Sequence, residues 1–293
     1  MKAKTADKVS TAIIYIISMF VVVILGAFIV YIFYKGGSMI NFKFLFGKSK
    51  TMSAGGGIGA QLFNSFYMLI VALIISVPIG LGAGIYLSEY AKEGPVVRII
   101  RLCIETMSSL PSIVVGMFGM LIFVNKLGFG YSILSGALSV SIINIPSLTR
   151  ISENAIRSAS KQVKEASLGL GATKWQTIRK LIIPIAMNEI LTGIILAGGR
   201  IFGEAAAFLY TAGLSTSMLN FNNISFTGNS AFSLFRPAET LAVHIWKLNA
   251  EGIVPDAVSI ANGSAAVLIL AVILFNVISK LIGNKLLKGY NGK

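Results

Sequence analysis

Glu165-Ala166-Ser167-Leu168-Gly169-Leu170-Gly171 opens a stretch that closes, nine residues later, at Leu181-Ile182-Ile183-Pro184. It lies in a basic loop, 149–188, between two apolar runs. Residues 152–168 can form a helix with Arg157, Lys161 and Lys164 on its polar side. Gly169 and Gly171 would stop that helix, because glycine takes the left-handed conformation at little cost. Thr173 and Gln176 make a T-x-x-Q capping box that starts a second helix. On it Trp175, Ile178, Leu181 and Ile182 form an apolar stripe. Pro184 predicts a bend where the chain enters the membrane. The spacing therefore predicts a helix–turn–helix elbow, 165–184, with an exposed aromatic anchor for a groove in another protein. An ordinary hairpin lying on lipid headgroups fits the pattern alone equally well.

The composition around this loop is that of a polytopic membrane protein. Of 293 residues 55% are hydrophobic and only 12% charged, and the mean hydropathy is +0.81. A soluble domain carries about twice that charged fraction. The net charge of +14 raises nucleic-acid binding. However, the basic residues sit in loops and tails between apolar runs, so topology and anionic lipid headgroups account for them. Cys103 is the only cysteine and His244 the only histidine. An internal disulfide is excluded, and neither a metal site nor a cofactor is expected. His244 has no nucleophile motif near it and reads as a polar loop or interfacial residue.

Six apolar runs follow in order, at about 11–34, 61–87, 108–125, 131–148, 189–210 and 261–282. The first is too long for a secretory signal and is read as a retained helix. Gly55-Gly56-Gly57-Ile58-Gly59 fails as a dinucleotide fingerprint and reads as a hinge or a close helix approach. In the second run Pro78 predicts a kink, and Gly80 and Gly84 predict close helix packing. Pro111 falls in the first turn of the third run, where a missing N–H costs little. The segment 211–260 is polar and predicts a short amphipathic or re-entrant piece. The expected layout is 1–60 for the N-terminal tail, first helix and outer loop, then 61–285 for the core, then 286–293 for a C-terminal tail. Six spans put both termini on one side, which holds seventeen Lys and Arg against seven on the other. That asymmetry predicts N-in, C-in. Four lysines in the first outer loop run against it.

Arg200 and Glu204 fall inside the fifth run. In an unbroken helix they would share a face at i, i+4 and could pair. Charges in a span usually face a bundle interior or a pathway, so the alternatives are a transport role and a structural ion pair. A guanidinium suits an oxyanion, which it can bind bidentately. Asn64 and Asn144 read as interhelical hydrogen-bonders.

The stretch 165–184 resembles the EAA loop of ABC-importer permease subunits. The family pattern has E-A-A, three residues, Gly, nine residues and Ile-x-Leu-Pro; here Ser167 replaces the second alanine, and Leu181 and Ile183 close the motif. Ser109-Leu110-Pro111-Ser112 through Gly119, Ile85 through Ala91, and Gly199-Arg200-Ile201-Phe202-Gly203-Glu204 resemble motifs of phosphate-type permeases. Gly55-Gly56-Gly57-Ile58 and Arg236-Pro237 through Trp246 are similar to the PstA type rather than its PstC relative.

The resemblance implies an all-α membrane protein of MetI-like architecture with six spans in a prokaryotic cell membrane. It implies that Glu165, Ala166, Gly171, Trp175, Leu181 and Pro184 couple to a separate ATPase dimer, and that Arg200 and Glu204 lie on an anion pathway. The implied partners are a PstC-type permease and an extracytoplasmic phosphate-binding protein. No nucleotide-binding loop occurs in the chain, so ATP hydrolysis is expected elsewhere. Another oxyanion (sulfate, molybdate or tungstate) and a membrane scaffold that senses phosphate are the alternative functions.

Overall fold

The computed structural model describes residues 2–50, 53–215, 219–228, 230–252 and 254–290; the side chains of 2–3, Gln162 and 286–290 lie outside that description. Among the described residues every extended regular element is a helix. The first, α1 (Lys2–Gly36), is apolar and almost wholly exposed. It touches the body mainly through the last helix, α11 (Ala257–Tyr290). A short helix, α2 (Phe42–Phe46), is capped by the Asn41 side chain, which accepts from the Phe44 amide at 2.9 Å. The glycine run behind it is a close approach: a Cβ on Gly57 would lie 2.6 Å from the Gly47 backbone.

The second apolar run is α3 (Gly59–Ile85), which ends in a π-helical turn, Tyr86–Tyr90. It packs along α6 (Ile133–Gly169) in the largest helix–helix contact of the fold. The two approach at the expected glycines: a Cβ on Gly80 would meet the Leu148 Cβ at 2.7 Å, and one on Gly84 the Ser152 Cβ at 2.5 Å. Between them runs α4 (Pro95–Ser108), strongly amphipathic, within the segment expected to be a mere charged connection. α5 (Ser112–Gly119) follows at a bend of 98° and continues as a π-helix to Lys126. At about 1.5 Å per residue this third run spans only about 22 Å, short of a bilayer core of about 30 Å. Pro111 sits just before α5, as its cap.

Among the described residues four helices are long and apolar enough to cross a membrane, or five if the bent α4–α5 pair counts as one span. The first half of α6 makes the sixth by position, but it is too polar to pass the same test. The reason is its place at the centre. Ser132, Ser135, Ser139, Ser141, Asn144 and Thr149 are all buried, so protein rather than lipid surrounds it. A helix packed on every side need not be uniformly apolar. Ser139, Ser141 and Thr149 donate to the carbonyl four residues back at 2.7–2.8 Å, which satisfies each hydroxyl locally.

α6 does not stop at the membrane end. It runs unbroken through the loop expected to begin at 149, and so carries the elbow on a rigid stalk. The return arm is α7 (Lys174–Thr177), a π-helical turn at Ile178–Ile182 and α8 (Ile183–Gly203). The expected fifth run then breaks at Glu204, which is extended (ψ 121°), and restarts as α9 (Ala206–Thr211). Leu234 and Arg236 accept through their carbonyls from the first amides of α6, and α10 (Leu241–Glu251) is the short amphipathic piece expected within 211–260. α11 begins four residues before the expected sixth run and continues to Tyr290, so the tail assigned to 286–293 starts inside it; residues 291–293 lie outside the described residues.

Candidate functional site

Two places carry the chemistry: the elbow, and a cleft between α6 and α8. At the elbow Gly171 adopts φ +84°, the left-handed turn that lets the chain reverse. Thr173 Oγ1 accepts from the Gln176 amide at 3.3 Å, and Gln176 Oε1 accepts from the Thr173 amide at 2.9 Å. The capping box is complete. Ser167, the departure from the family pattern, is buried and lies 2.9 Å from Thr177 Oγ1. That hydroxyl pair clasps the two arms across the turn.

The apolar stripe divides. Ile178 and Ile182 are buried against Ala155, Ile156 and Ala159 of α6. Trp175 is 55% exposed and Leu181 is exposed too. Leu170, at the tip, is 89% exposed. Glu165, Ala166 and Gly171 are also exposed, whereas Pro184 is half-buried at the start of α8. The elbow thus uses one side of its return arm to hold itself together and leaves an aromatic and two leucines outward.

A second fastening joins the elbow to the end of α3. Glu89 is buried, and its carboxylate meets Lys164 Nζ at 2.8 Å. Lys174 Nζ donates to the Glu89 carbonyl and lies 4.6 Å from the centre of the Tyr90 ring. Glu153 on α6 receives Arg101 of α4 and Arg157, both at 2.8 Å, and Arg101 also reaches Glu93 at 2.9 Å. The bond from Arg101 holds the Glu93 carboxyl below the usual carboxylate value. Movement at the elbow is therefore tied to α3 and α4 as well as to its own two arms. Sequence reading missed Glu89 and Glu153, because each finds its partner through the fold rather than through local spacing.

The expected Arg200–Glu204 pair does not form. Glu204 lies past the end of α8, and its Oε1 accepts from the Ala207 amide at 3.1 Å, at the start of α9. The i, i+4 relation requires a continuous helix, and the backbone leaves helical geometry at Glu204. Arg200 instead lines a cleft of about 140 Å³. Asn144, Ser147 and Ile151 face it from α6, and Gly193, Ala197 and Arg200 from α8. A Cβ on Gly193 would lie 2.8 Å from Ile151 Cγ2, so the helices touch at that end of the cleft. Among the described residues Arg200 has no carboxylate within ion-pair distance.

A third polar group was also missed. Arg236 is buried; it donates to Asn64 Oδ1 at 2.8 Å and to the Ala231 carbonyl at 2.9 Å. Burial pulls its guanidinium down to about 10, so it stays charged at neutral pH. Beside it, Gln61 Nε2 donates to Glu239 Oε2 at 2.9 Å, and the opposite carboxylate oxygen lies 3.2 Å from His244 Nδ1. Burial pushes the Glu239 carboxyl up, but His244, Gln61 and Lys247 outweigh it and the net shift is downward. His244 is thus no interfacial residue. It is 5% exposed and locked to Glu239, and this network pins the segment 231–248 to the start of α3. Among the described residues no cluster of His, Cys, Asp or Glu could hold a metal.

The fold is thus that of a multi-span helical membrane protein with a protruding, internally clasped elbow. Residues 76–290 match the family described as binding-protein-dependent transport system inner membrane component, and the chain belongs to that family. It is 48% identical over 289 residues to the probable ABC transporter permease protein YqgI of Bacillus subtilis, covering 98% of both. It is 31% identical over 230 residues to the phosphate transport system permease protein PstA of Yersinia pestis, covering 78% of this chain and 73% of that one. In fold it resembles a chain of the inward-facing MetNI methionine ABC transporter (TM-score 0.53, 16% identity, 80% of this chain and 94% of that one). It also resembles a bacterial ABC transporter that imports the acidic polysaccharide alginate (TM-score 0.54, 12% identity, 91% and 96%). The chain is accordingly a multi-pass ABC-importer permease subunit, with ATP hydrolysis on a separate chain.

Proposed function

We propose that this subunit forms half of the anion pathway of an ATP-driven phosphate importer, of the PstA type. A PstC-type permease would supply the other half, an ATPase dimer the work, and an extracytoplasmic phosphate-binding protein the substrate. The elbow faces the cytoplasm in an N-in, C-in arrangement. Glu165, Ala166, Gly171, Trp175, Leu181 and Pro184 form the coupling element. ATP binding draws the ATPases together and pulls on the elbow. The clasped arms then move α6 and α8 as one, and the cleft between them changes its access.

The observation that carries the phosphate reading is the Arg200 guanidinium on the wall of a cleft between two spans, with its nearest acidic neighbour in sequence bonded elsewhere. An uncompensated cation in a low-dielectric setting attracts an anion strongly. Glu204 lies at the α8–α9 break, so its part in the pathway is to set the end of α8 rather than to pair with Arg200. Relatives named as phosphate transport permeases at 31–36% identity support the same substrate.

The test is labelled-phosphate uptake under phosphate limitation, in cells lacking this chain and complemented with wild type or Arg200→Gln. Wild type restores uptake that excess sulfate does not suppress, and Arg200→Gln is inserted but transports at under a tenth of that rate. Restored uptake of sulfate or molybdate instead of phosphate would overturn the substrate and leave the permease assignment intact.

A further inference from the structure

The cleft offers an oxyanion more than a charge. Its two walls match: Asn144, Ser147 and Ile151 recur at i, i+3 and i+7 on α6, and Gly193, Ala197 and Arg200 at i, i+4 and i+7 on α8. Each set is one helical face. Asn144 lies eleven residues into α6, about 16 Å along its axis, roughly halfway through a bilayer core.

Two polar groups on the α6 wall are not used by the protein. Asn144 is 1% exposed, and among the described residues its Nδ2 has no hydrogen-bond partner. A buried amide left in that state is costly, and it has a reason where it is found. The two ends of an amide also exchange by a simple flip of the side chain. Ser147 differs from its neighbours too. Ser139, Ser141 and Thr149 give their hydroxyls to the carbonyl four residues back. Among the described residues Ser147 Oγ has no such bond, and it faces the cleft. The volume of about 140 Å³ is roughly ten times the minimum that admits one water, enough for a tetrahedral oxyanion. No carboxylate lines it.

We propose that Asn144 and Ser147 complete an oxyanion subsite around Arg200 by donating hydrogen bonds to the anion. Arg200 supplies the charge and a planar fork of donors. An amide and a hydroxyl can each donate and accept. A tetrahedral oxyanion offers lone pairs on four oxygens, enough to pair with the guanidinium, the amide N–H and the hydroxyl together. This inference rests on the reading that Arg200 faces the anion pathway.

The experiment uses the whole transporter in proteoliposomes, with both permeases, the ATPases and the binding protein. It measures KM and kcat for phosphate uptake, and ATPase activity without substrate. Asn144→Leu keeps the branched outline without the amide, and Ser147→Ala removes one oxygen. Each raises the KM for phosphate about tenfold, the loss of one hydrogen bond to a charged group. Ser147→Thr, which keeps the hydroxyl, keeps the wild-type KM. Substrate-free ATPase activity stays unchanged. If Asn144→Leu does not assemble, the KM of Ser147→Ala decides the matter. Wild-type KM in both variants while Arg200→Gln is inactive would overturn the subsite and leave the pathway reading standing. A fall in kcat or assembly at unchanged KM would mean a packing role, and overturns it as well. Normal transport by Arg200→Gln would remove the pathway reading, and this inference with it.

Discussion

A methyl group on Gly84 would sit 2.5 Å from the Ser152 Cβ and 2.9 Å from the Glu153 amide nitrogen. The second neighbour is backbone, so it cannot turn aside as a side chain can. Gly82, two positions earlier on the same helix, has nothing within 4 Å of its missing Cβ. The two glycines therefore separate packing from propensity. Gly84→Ala forces α3 and α6 apart and costs about 1–3 kcal/mol, the usual price of overpacking. Gly82→Ala is neutral, or stabilising by up to about 1 kcal/mol, because alanine is the better helix former. Thermal unfolding of the detergent-purified complex reads both. Equal destabilisation by the two substitutions would mean that the α3–α6 contact is not set by Gly84. Ser152 and Glu153 also begin the part of α6 that carries the elbow, so Gly84→Ala lowers coupling efficiency along with stability.

The elbow is the element in which one aromatic side chain can be tested against the groove it is expected to fill. Trp175→Ala leaves the capping box and the Ile178–Ile182 packing untouched, because neither involves the indole. Buried interface aromatics are worth about 2 kcal/mol or more, roughly thirtyfold in binding. Trp175→Ala therefore weakens retention of the ATPase by about that factor while the permease melts at its usual temperature. Undiminished ATPase retention would place the contact elsewhere on the tip, with Leu170 the next candidate. This element was legible in the sequence because its signals are local: two glycines, a capping box and a proline within twenty positions. The clasp between Ser167 and Thr177, ten apart, lies at the edge of that range. Glu89 with Lys164 and Lys174 lies beyond it, and only the fold joins them. The reading of Arg200 with Glu204 went wrong for the opposite reason. The spacing was right, but it presumed a helix that the chain breaks at Glu204 so that α9 can pack on α5. A Cβ on Gly116 of α5 would lie 2.8 Å from the Ala207 Cα, which shows how close that contact is. The central span was harder to count than to place, since its buried serines dilute the apolar signal that marks a helix facing lipid.

For the whole molecule, sidedness decides whether the elbow can reach an ATPase at all. The charge asymmetry predicts the elbow on the inside, and the structure ties a natural reporter to the elbow's side. Cys103 is the only cysteine and is exposed on α4. Two positions before it, Arg101 bridges to Glu153 at 2.8 Å, on the stretch of α6 that continues into the elbow. Whatever side Cys103 faces, the elbow therefore faces too. No engineered cysteine is needed, and no native one has to be removed. A membrane-impermeant maleimide added to intact cells leaves Cys103 unmodified, and the same reagent labels it in inverted membrane vesicles. Labelling in intact cells would put α4 and the elbow outside. The positively charged loop would then face away from the ATP, and the coupling role of Glu165 through Pro184 would fall. The four lysines of the first outer loop make this a real contest rather than a formality, because they are the part of the charge pattern that favours the reverse orientation. Their effect is outweighed only if the seventeen Lys and Arg on the opposite side, seven of them in and around the elbow, dominate insertion, and the pattern of maleimide labelling reports which group does.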